Sequence, residues 1–127
     1  MKTIYFPAIF HPEEVGYSAS VPDLEGCFTQ GDTMEETLTM LEDAIGLMLE
    51  DCESIPRPSD PAGLIPEQGD FVVAVPFSLL NYRRRNDTRS VKKTLSLPAW
   101  LNAAAEEAHI NFSGVLQDAL KAKLNIL

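Results

Sequence analysis

The chain contains little of what metal sites and disulfide scaffolds require. It has two cysteines, Cys27 and Cys52, and two histidines, His11 and His109, which lie in distant segments. Because no Cys-x-x-Cys pair is present, the usual spacing of a metal site is missing, and we expect no metal and no cofactor. In a reducing compartment each cysteine is expected to be a small buried hydrophobe rather than part of a disulfide or a nucleophile.

Long apolar runs are also absent. The apolar stretch near the start, Ile4 to Phe10, is interrupted by Pro7 and followed by acidic residues, which does not suit a signal peptide. No stretch approaches the roughly 18 consecutive apolar residues of a membrane-spanning helix. We therefore expect a cytoplasmic protein without a membrane partner.

Basic residues are few, since the chain has 10 Lys and Arg against 19 Asp and Glu, a net charge of −9. This total argues against a nucleic-acid partner, because DNA-binding proteins usually carry a basic surface. The distribution along the chain reverses that conclusion. Residues 1–88 carry 5 basic and 16 acidic side chains, whereas residues 89–127 carry 5 basic and 3 acidic ones. The sequence predicts an acidic domain suited to a basic partner, fused to a mildly basic domain that can approach phosphates.

Residues 1–77 predict an acidic α+β domain with the element order β-β-β-α-β. Residues 2–10, 15–21 and 27–30 are short segments with strand composition or alternation, and they predict an antiparallel meander. A helix follows, with Asp32 or Thr33 as its N-cap. Its apolar residues recur at helical spacing and are expected to pack on the sheet. They are Met34, Leu38, Leu41, Ile45, Met48 and Cys52.

The opposite face of this helix is acidic. It holds Glu35, Glu42, Asp43, Glu50 and Asp51. A solvated surface is the simplest interpretation, and a dedicated acidic docking face is the alternative.

A proline-rich stretch follows the helix and excludes further helix through residues 55–69. Phe71 to Val75, bounded by Pro76, predicts a fourth strand that pairs with the first sheet. Residues 78–90 include three consecutive arginines and show little apolar periodicity, so they are predicted to form a linker. The arginines would either contact the DNA backbone or keep the linker soluble.

The hydrophobic period changes from two to 3.6 at Pro98. Residues 91–97 predict a strand, residues 99–109 a short helix, and Asn111 or Ser113 the cap of a second helix. A unit of about 37 residues cannot bury a core alone, so it requires a second copy. We therefore expect a homodimer, or a higher oligomer built from one.

Pairing of the two strands would form a ribbon of the width that enters the DNA major groove. One face of the strand would present polar side chains to base edges, and free N–H groups at the start of the second helix would suit a phosphate. The predicted DNA-binding residues are Lys92, Thr94, Ser96, Asn111, Phe112 and Ser113.

This segment resembles the ribbon-helix-helix family, which contains the Arc and MetJ repressors. The resemblance lies in the strand length, the Leu-Ser-Leu-Pro junction ending at Pro98, and the Asn-Phe-Ser start of the second helix. His109 departs from the pattern, because the family commonly has Gly at this turn, and His adopts the left-handed conformation at some cost. Lys93 also departs from the family pattern, because it places a charge on the strand face that is predicted to point inward. The resemblance implies an operator-binding homodimer.

The chain as a whole resembles the HicB-type antitoxins of bacterial type II toxin–antitoxin systems. The resemblance lies in residues 5–14, in residues 16–33 with their Pro-Asp-Leu-x-Gly-Cys stretch, and in the C-terminal segment. The resemblance implies a partial RNase H-like N-terminal domain that binds the small HicA toxin and masks its RNA-cleaving surface. It also implies that residues 91–127 repress the operon. Asp23 and Glu25 are candidate toxin contacts, with a solvated turn as the alternative.

Nuclease chemistry of the RNase H kind needs several carboxylates that converge on Mg²⁺. The predicted strands carry no Asp or Glu. We therefore predict no catalytic residue and no enzymatic activity. A one-component ribbon-helix-helix regulator, whose N-terminal domain senses a small ligand, is the alternative function.

Overall fold

The structure, a computed structural model, describes residues 3–127 and divides into two compact units at the boundary between Arg89 and Ser90. The N-terminal unit contains a sheet and two helices, and the C-terminal unit contains two helices. This content confirms the predicted α+β class. Within the described part of the chain, no helix has the length and apolar character needed to cross a membrane.

The N-terminal unit is built on a four-stranded antiparallel sheet in the order β3-β2-β1-β4. Its strands are β1 (Ile4–Pro12), β2 (Tyr17–Ser20), β3 (Phe28–Gly31) and β4 (Phe71–Phe77). The first three strands form the predicted meander, with bounds that differ by one or two residues from those predicted. Lys2, which the prediction placed in the first strand, lies outside the described residues.

Strand β4 lies beside β1, in a register that runs from Ile4↔Phe77 to Phe10↔Phe71. It continues through Pro76, where the prediction ended it. An edge strand tolerates proline, because an N–H on its outer side has no strand to bond to.

Helix α1 (Met34–Leu49) begins at the predicted N-cap Thr33. The Thr33 Oγ1 accepts a hydrogen bond from the Glu36 N–H at 3.0 Å, and the Glu36 carboxylate accepts one from the Asp32 N–H at 3.3 Å. These reciprocal bonds satisfy donors that the first turn of a helix leaves open.

The buried face of α1 differs from the predicted stripe. Leu41 and Ile45 are buried as expected, but Met48 is 36% exposed and Cys52 lies exposed beyond the helix end. The buried set is Thr37, Leu41, Ile45, Gly46 and Leu49. Thr37 is tolerated inside because its hydroxyl donates to the Thr33 carbonyl at 2.7 Å, which leaves no unpaired polar group. The expectation of burial is confirmed for Cys27 and is wrong for Cys52.

Helix α2 (Leu79–Asn86) occupies most of the segment for which the sequence predicted only a linker. Ser78 caps it, with its Oγ accepting from the Asn81 N–H at 3.2 Å. Tyr82 is buried in the core of the unit. The Arg85 guanidinium lies 3.4 Å from a Glu42 carboxylate oxygen and 3.7 Å from one of Asp43. Its apolar contacts with the core come from Tyr82 and, in part, from Leu79 at its start, so the helix shows little apolar periodicity in the sequence.

The C-terminal unit contains α3 (Ala99–Glu107) and α4 (Phe112–Lys123). His109 between them has φ 56°, which confirms the left-handed turn that the sequence required there. Residues 91–97, predicted as a strand, form none in the single chain. A strand exists only through hydrogen bonds to a neighbouring strand, and the predicted neighbour is a second copy. No side chain in residues 90–127 is buried.

The contact between α1 and α2 allows a test of the packing. A Cβ atom at Gly46 would lie 2.2 Å from ring atoms of Tyr82, so Gly46→Ala should force the two helices apart. Overpacking costs about 1 to 3 kcal/mol, and the better helix propensity of alanine returns about 1 kcal/mol. Because the clash is with a buried aromatic ring, its cost should lie in the upper part of that range. We therefore expect a net loss of about 1 to 2 kcal/mol in the free energy of unfolding, measured by urea denaturation with near-UV circular dichroism.

Gly63→Ala is the matched control, because nothing lies within 4 Å of a Cβ atom at that position. Equal stability of the two variants would contradict the close packing of Tyr82 on α1.

Candidate protein and nucleic-acid interfaces

The sheet face opposite the core leaves large side chains exposed. Phe6, Ala8 and Phe10 alternate along β1 into the core, so Tyr5 and Ile9 point to the other face. Phe28 joins that face through the register Phe28↔Ser20↔Ile9. Tyr5 is 59% exposed and Phe28 is 74% exposed. Large apolar groups left exposed on one face are typical of an interaction surface.

A shallow concavity of about 790 Å³ lies on this face and at the edge of β3. The residues that line it come from β1, β2, β3, α1 and the residue before β4. They include Ile9, His11, Ser18, Ser20, Phe28, Thr29, Gln30, Met40 and Asp70. The lining mixes apolar and hydrogen-bonding groups.

One polar pair in this concavity joins β1 to the start of β4. The His11 Nδ1 lies 2.5 Å from the Asp70 Oδ1, and Asp70 directly precedes β4. The hydrogen bond to Asp70 raises the pKa of His11, and the negative charges of Asp70, Glu13 and Glu67 raise it further. The pair therefore links the end of β1 to the residue that precedes β4.

A second concavity, of about 500 Å³, lies at the Gly31 end of β3 and is acidic. Its lining includes four carboxylates and no basic side chain; these carboxylates belong to Glu13, Glu14, Asp32 and Glu36. Glu13 accepts a hydrogen bond from the Ser18 Oγ at 2.9 Å, and Glu36 is held by the cap of α1. Negative charge is therefore concentrated beside one end of β3.

The two candidate toxin contacts, Asp23 and Glu25, lie in the turn between β2 and β3. Both carboxylate oxygens of Asp23 are engaged within the chain, since they accept hydrogen bonds from the Ser59 Oγ at 2.5 Å and the Ser59 N–H at 2.8 Å. Asp23 thus fastens the proline-rich segment to this turn. Glu25 is exposed. The contact of both residues with a toxin stays a prediction.

Cys27 shows no sign of an activated nucleophile. Burial raises the pKa of its thiol, which disfavours the reactive thiolate. Among residues 3–127, no group of three or more His, Cys, Asp or Glu is arranged to hold a metal ion.

The strand residues predicted to contact DNA are separated from those predicted to face inward. Lys93, Leu95 and Leu97 line a groove of about 480 Å³ together with residues of α3 and α4. Lys92, Thr94 and Ser96 are exposed and are not part of that lining. The grouping agrees with the alternation of side chains that the sequence predicted for this segment.

The start of α4 has Asn111 rather than Ser113 as its N-cap. The Asn111 Oδ1 accepts a hydrogen bond from the Gly114 N–H at 3.2 Å, so this amide is not available to a phosphate. Phe112 and Ser113 line the apolar groove of the unit, and Phe112 is 41% exposed. The role of these three residues in DNA binding stays a prediction.

This architecture is found in proteins of toxin–antitoxin systems. A chain of a toxin–antitoxin complex from Streptococcus pneumoniae matches it with a TM-score of 0.54 and 25% identity, over 96% of this chain and 99% of that one. The crystal structure of an antitoxin HicB3 matches over 98% of this chain and 100% of that one, with a TM-score of 0.50 and 22% identity, a likeness of fold alone.

The family model of HicB-like antitoxins of bacterial toxin–antitoxin systems matches residues 6–120. The chain therefore belongs to the HicB-like antitoxin family, as its sequence motifs indicated. It is 34% identical to antitoxin HicB 2 of Photorhabdus laumondii over 82 residues, 61% of this chain and 54% of that protein. It is 38% identical to an uncharacterized 14.9 kDa protein of Haemophilus phage HP1 over 76 residues, 55% and 57% of the two chains. The chain spans just over half the length of these relatives.

The His11–Asp70 pair makes stability depend on pH. A raised pKa in the folded state means that folding favours protonated His11, so the contribution is fully present below the ordinary pKa of 6.5 and is lost as the pH rises through the raised value. We expect the His11 ring to titrate above 6.5 in an NMR titration. Asp70→Asn keeps the shape of the pair and removes its charge, so the pKa should return toward 6.5. An identical titration in the two proteins would contradict the pairing.

Proposed function

We propose that this antitoxin neutralises a small basic, RNA-cleaving toxin of the HicA type and represses its own operon as a DNA-binding homodimer. The observation that carries the proposal is the opposite character of its two units. The N-terminal unit is acidic and has a complete core, whereas the C-terminal unit is mildly basic and buries nothing alone. Membership of the HicB-like antitoxin family supplies the toxin–antitoxin context.

The acidic unit suits a toxin that binds RNA. A protein surface that binds RNA phosphates must be basic, and residues 1–88 have 16 acidic against 5 basic side chains. Complementary charge accelerates encounter and disfavours wrong partners. The partial RNase H-like architecture, which the family resemblance implied, would then serve as a binding scaffold rather than an enzyme.

The C-terminal unit suits a homodimer. None of its large apolar side chains is buried in the single chain, and most are exposed, including Leu95, Leu97, Val115, Leu116 and Leu120. An apolar surface of this extent in a unit of 38 residues requires a partner to remove it from water. A second copy would pair residues 91–97 of both chains into a two-stranded ribbon and would cover the groove along α4.

The toxin half predicts that a small basic protein is encoded beside the gene of this chain, and that protein is the partner used in the test. Mixing the two purified proteins should give a complex that survives size-exclusion chromatography and should abolish RNA cleavage by the basic protein. Micromolar or tighter binding is expected, because charge complementarity is joined to exposed apolar groups. Continued RNA cleavage in the presence of excess antitoxin would refute this half of the proposal.

The DNA half is tested at the outer face of the ribbon. Thr94→Ala or Lys92→Ala should weaken operator binding by about 1 to 3 kcal/mol for each lost base contact, measured by fluorescence anisotropy at fixed salt. Dimerisation, measured by analytical ultracentrifugation, should be unchanged because neither side chain lines the groove that the second copy would cover.

Lys121→Ala is the matched control, since it removes one positive charge from the C-terminal end of α4, away from the ribbon. Operator affinity that falls equally in Lys92→Ala and Lys121→Ala would indicate a charge effect alone. Unchanged affinity in Thr94→Ala and Lys92→Ala would remove the ribbon from the interface.

A further inference from the structure

The outer edge of β3 is an unpaired strand edge. Strand β3 pairs only with β2 among the described strands, because it ends the order β3-β2-β1-β4. The opposite edge strand, β4, contains Pro76 and is contacted by the 3₁₀ turn Pro61–Gly63. Strand β3 consists of Phe28, Thr29, Gln30 and Gly31, which include neither charge nor proline. Natural proteins protect exposed edges with such residues, and β3 lacks them.

The hydrogen-bond register shows which backbone groups of β3 face outward. The Val21 N–H donates to the Cys27 carbonyl at 3.0 Å, so this carbonyl points toward β2. The next amide, that of Phe28, must then point away, because a trans peptide holds C=O and N–H on opposite sides. Hydrogen-bonded and non-hydrogen-bonded pairs alternate along an antiparallel ladder. Continued through the register Ser20↔Phe28 and Ser18↔Gln30, this alternation turns the N–H and C=O groups of Phe28 and Gln30 outward.

The surroundings of this edge combine apolar contact area with negative charge. Phe28 is 74% exposed and Met40 of α1 is 44% exposed, and both line the same concavity. At the Gly31 end of the strand lies the acidic concavity described above. A peptide strand laid along β3 would therefore meet backbone partners, an aromatic side chain and a cluster of carboxylates.

We propose that β3 is the docking edge for the basic partner, and that an extended segment of that protein adds to the sheet as a fifth strand beside Phe28 and Gln30. Strand addition obtains affinity from main-chain hydrogen bonds and specificity from side chains along the edge. Basic side chains at the far end of the added strand would reach the carboxylates of Glu14 and Asp32. The proposal rests on the proposed toxin-binding function and assigns it a surface.

A second copy of this chain fits the edge poorly. Acidic residues stand on both sides of β3, with Glu25 before it and Asp32 and Glu36 after it. Either a parallel or an antiparallel pairing of two β3 strands would bring like charges together, which is unfavourable. Charge complementarity selects a basic partner.

The test is a proline substitution at an outward amide. Gln30→Pro removes the N–H that would bond to the added strand and leaves the inward bonds to β2 intact, a position where edge strands accept proline. Gln30→Thr is the matched control, because it keeps the amide and suits a strand. Isothermal titration calorimetry of the full chain with the adjacent basic protein should show about tenfold weaker binding for Gln30→Pro and less than about twofold change for Gln30→Thr.

Charge selection is tested by a matched pair of reversals. Glu14→Lys places a positive charge in the acidic concavity, whereas Glu53→Lys makes the same change in net charge after the end of α1. Glu14→Lys should weaken binding severalfold more than Glu53→Lys does. Equal effects would assign the attraction to net charge and would overturn the placement of the basic side chains.

Amide hydrogen exchange of the unsubstituted protein decides the proposal even if Gln30→Pro folds poorly. The amides of Phe28 and Gln30 should exchange rapidly in the free chain and become protected when the basic protein is bound. A complex that forms while these amides stay unprotected would overturn the edge assignment and leave the antitoxin function standing. Failure of the unsubstituted chain to bind would overturn both. Protection in the free chain that grows with its concentration would identify a second copy as the occupant.

Discussion

The packing of α1 on one face of the sheet is the contact on which the rest of the N-terminal unit depends. Phe6 and Phe10 of β1 meet Leu41 and Ile45 of α1 in a core that is closed to solvent. Helix α1 covers one face of the four-stranded sheet, whereas the other face exposes Tyr5 and Phe28 and the β3 edge has no described strand beside it. The apolar side chains left there, such as Phe28, are a consequence of this two-layer arrangement and give the unit a surface for a partner.

Residues 90–127 leave an even larger share of their apolar side chains uncovered. Two short helices and a segment of seven residues enclose no interior, and the side chains that would form one line an open groove. The N-terminal unit thus has a core of its own and one surface left over, whereas the C-terminal unit encloses no core in the single chain. The two surfaces that remain open to a partner therefore belong to different parts of the sequence. The acidic residues 1–88 and the mildly basic residues 89–127 are divided at nearly the same place.

Sequence patterns predicted the elements that bury their own apolar face. The meander, the Thr33 cap and the turn at His109 follow from local rules on alternation, capping and backbone conformation. The buried side of α1 was harder to predict from the sequence. A polar residue, Thr37, is buried there because its hydroxyl forms a hydrogen bond, and Gly46 leaves space for the ring of Tyr82. Helix α2 escaped prediction because long-range contacts stabilise it. The Asp23–Ser59 bonds join residues 36 positions apart, and no local pattern indicates them.

The arginine run shows how tertiary contacts redistribute the charge seen in the sequence. Arg85 lies beside Glu42 and Asp43 and neutralises part of the acidic face of α1. Arg89 forms two hydrogen bonds of 2.9 Å with Asp87 and lowers the pKa of that carboxyl to about 2. Basic groups near the end of the N-terminal unit are therefore engaged by carboxylates of the same unit. The carboxylates around the Gly31 end of β3 have no basic side chain in their concavity, so the acidity of the unit is concentrated where its sheet is unpaired. A basic strand that bound there would satisfy backbone and charge together, whereas at Glu42, Asp43 or Asp87 it would have to displace an existing arginine.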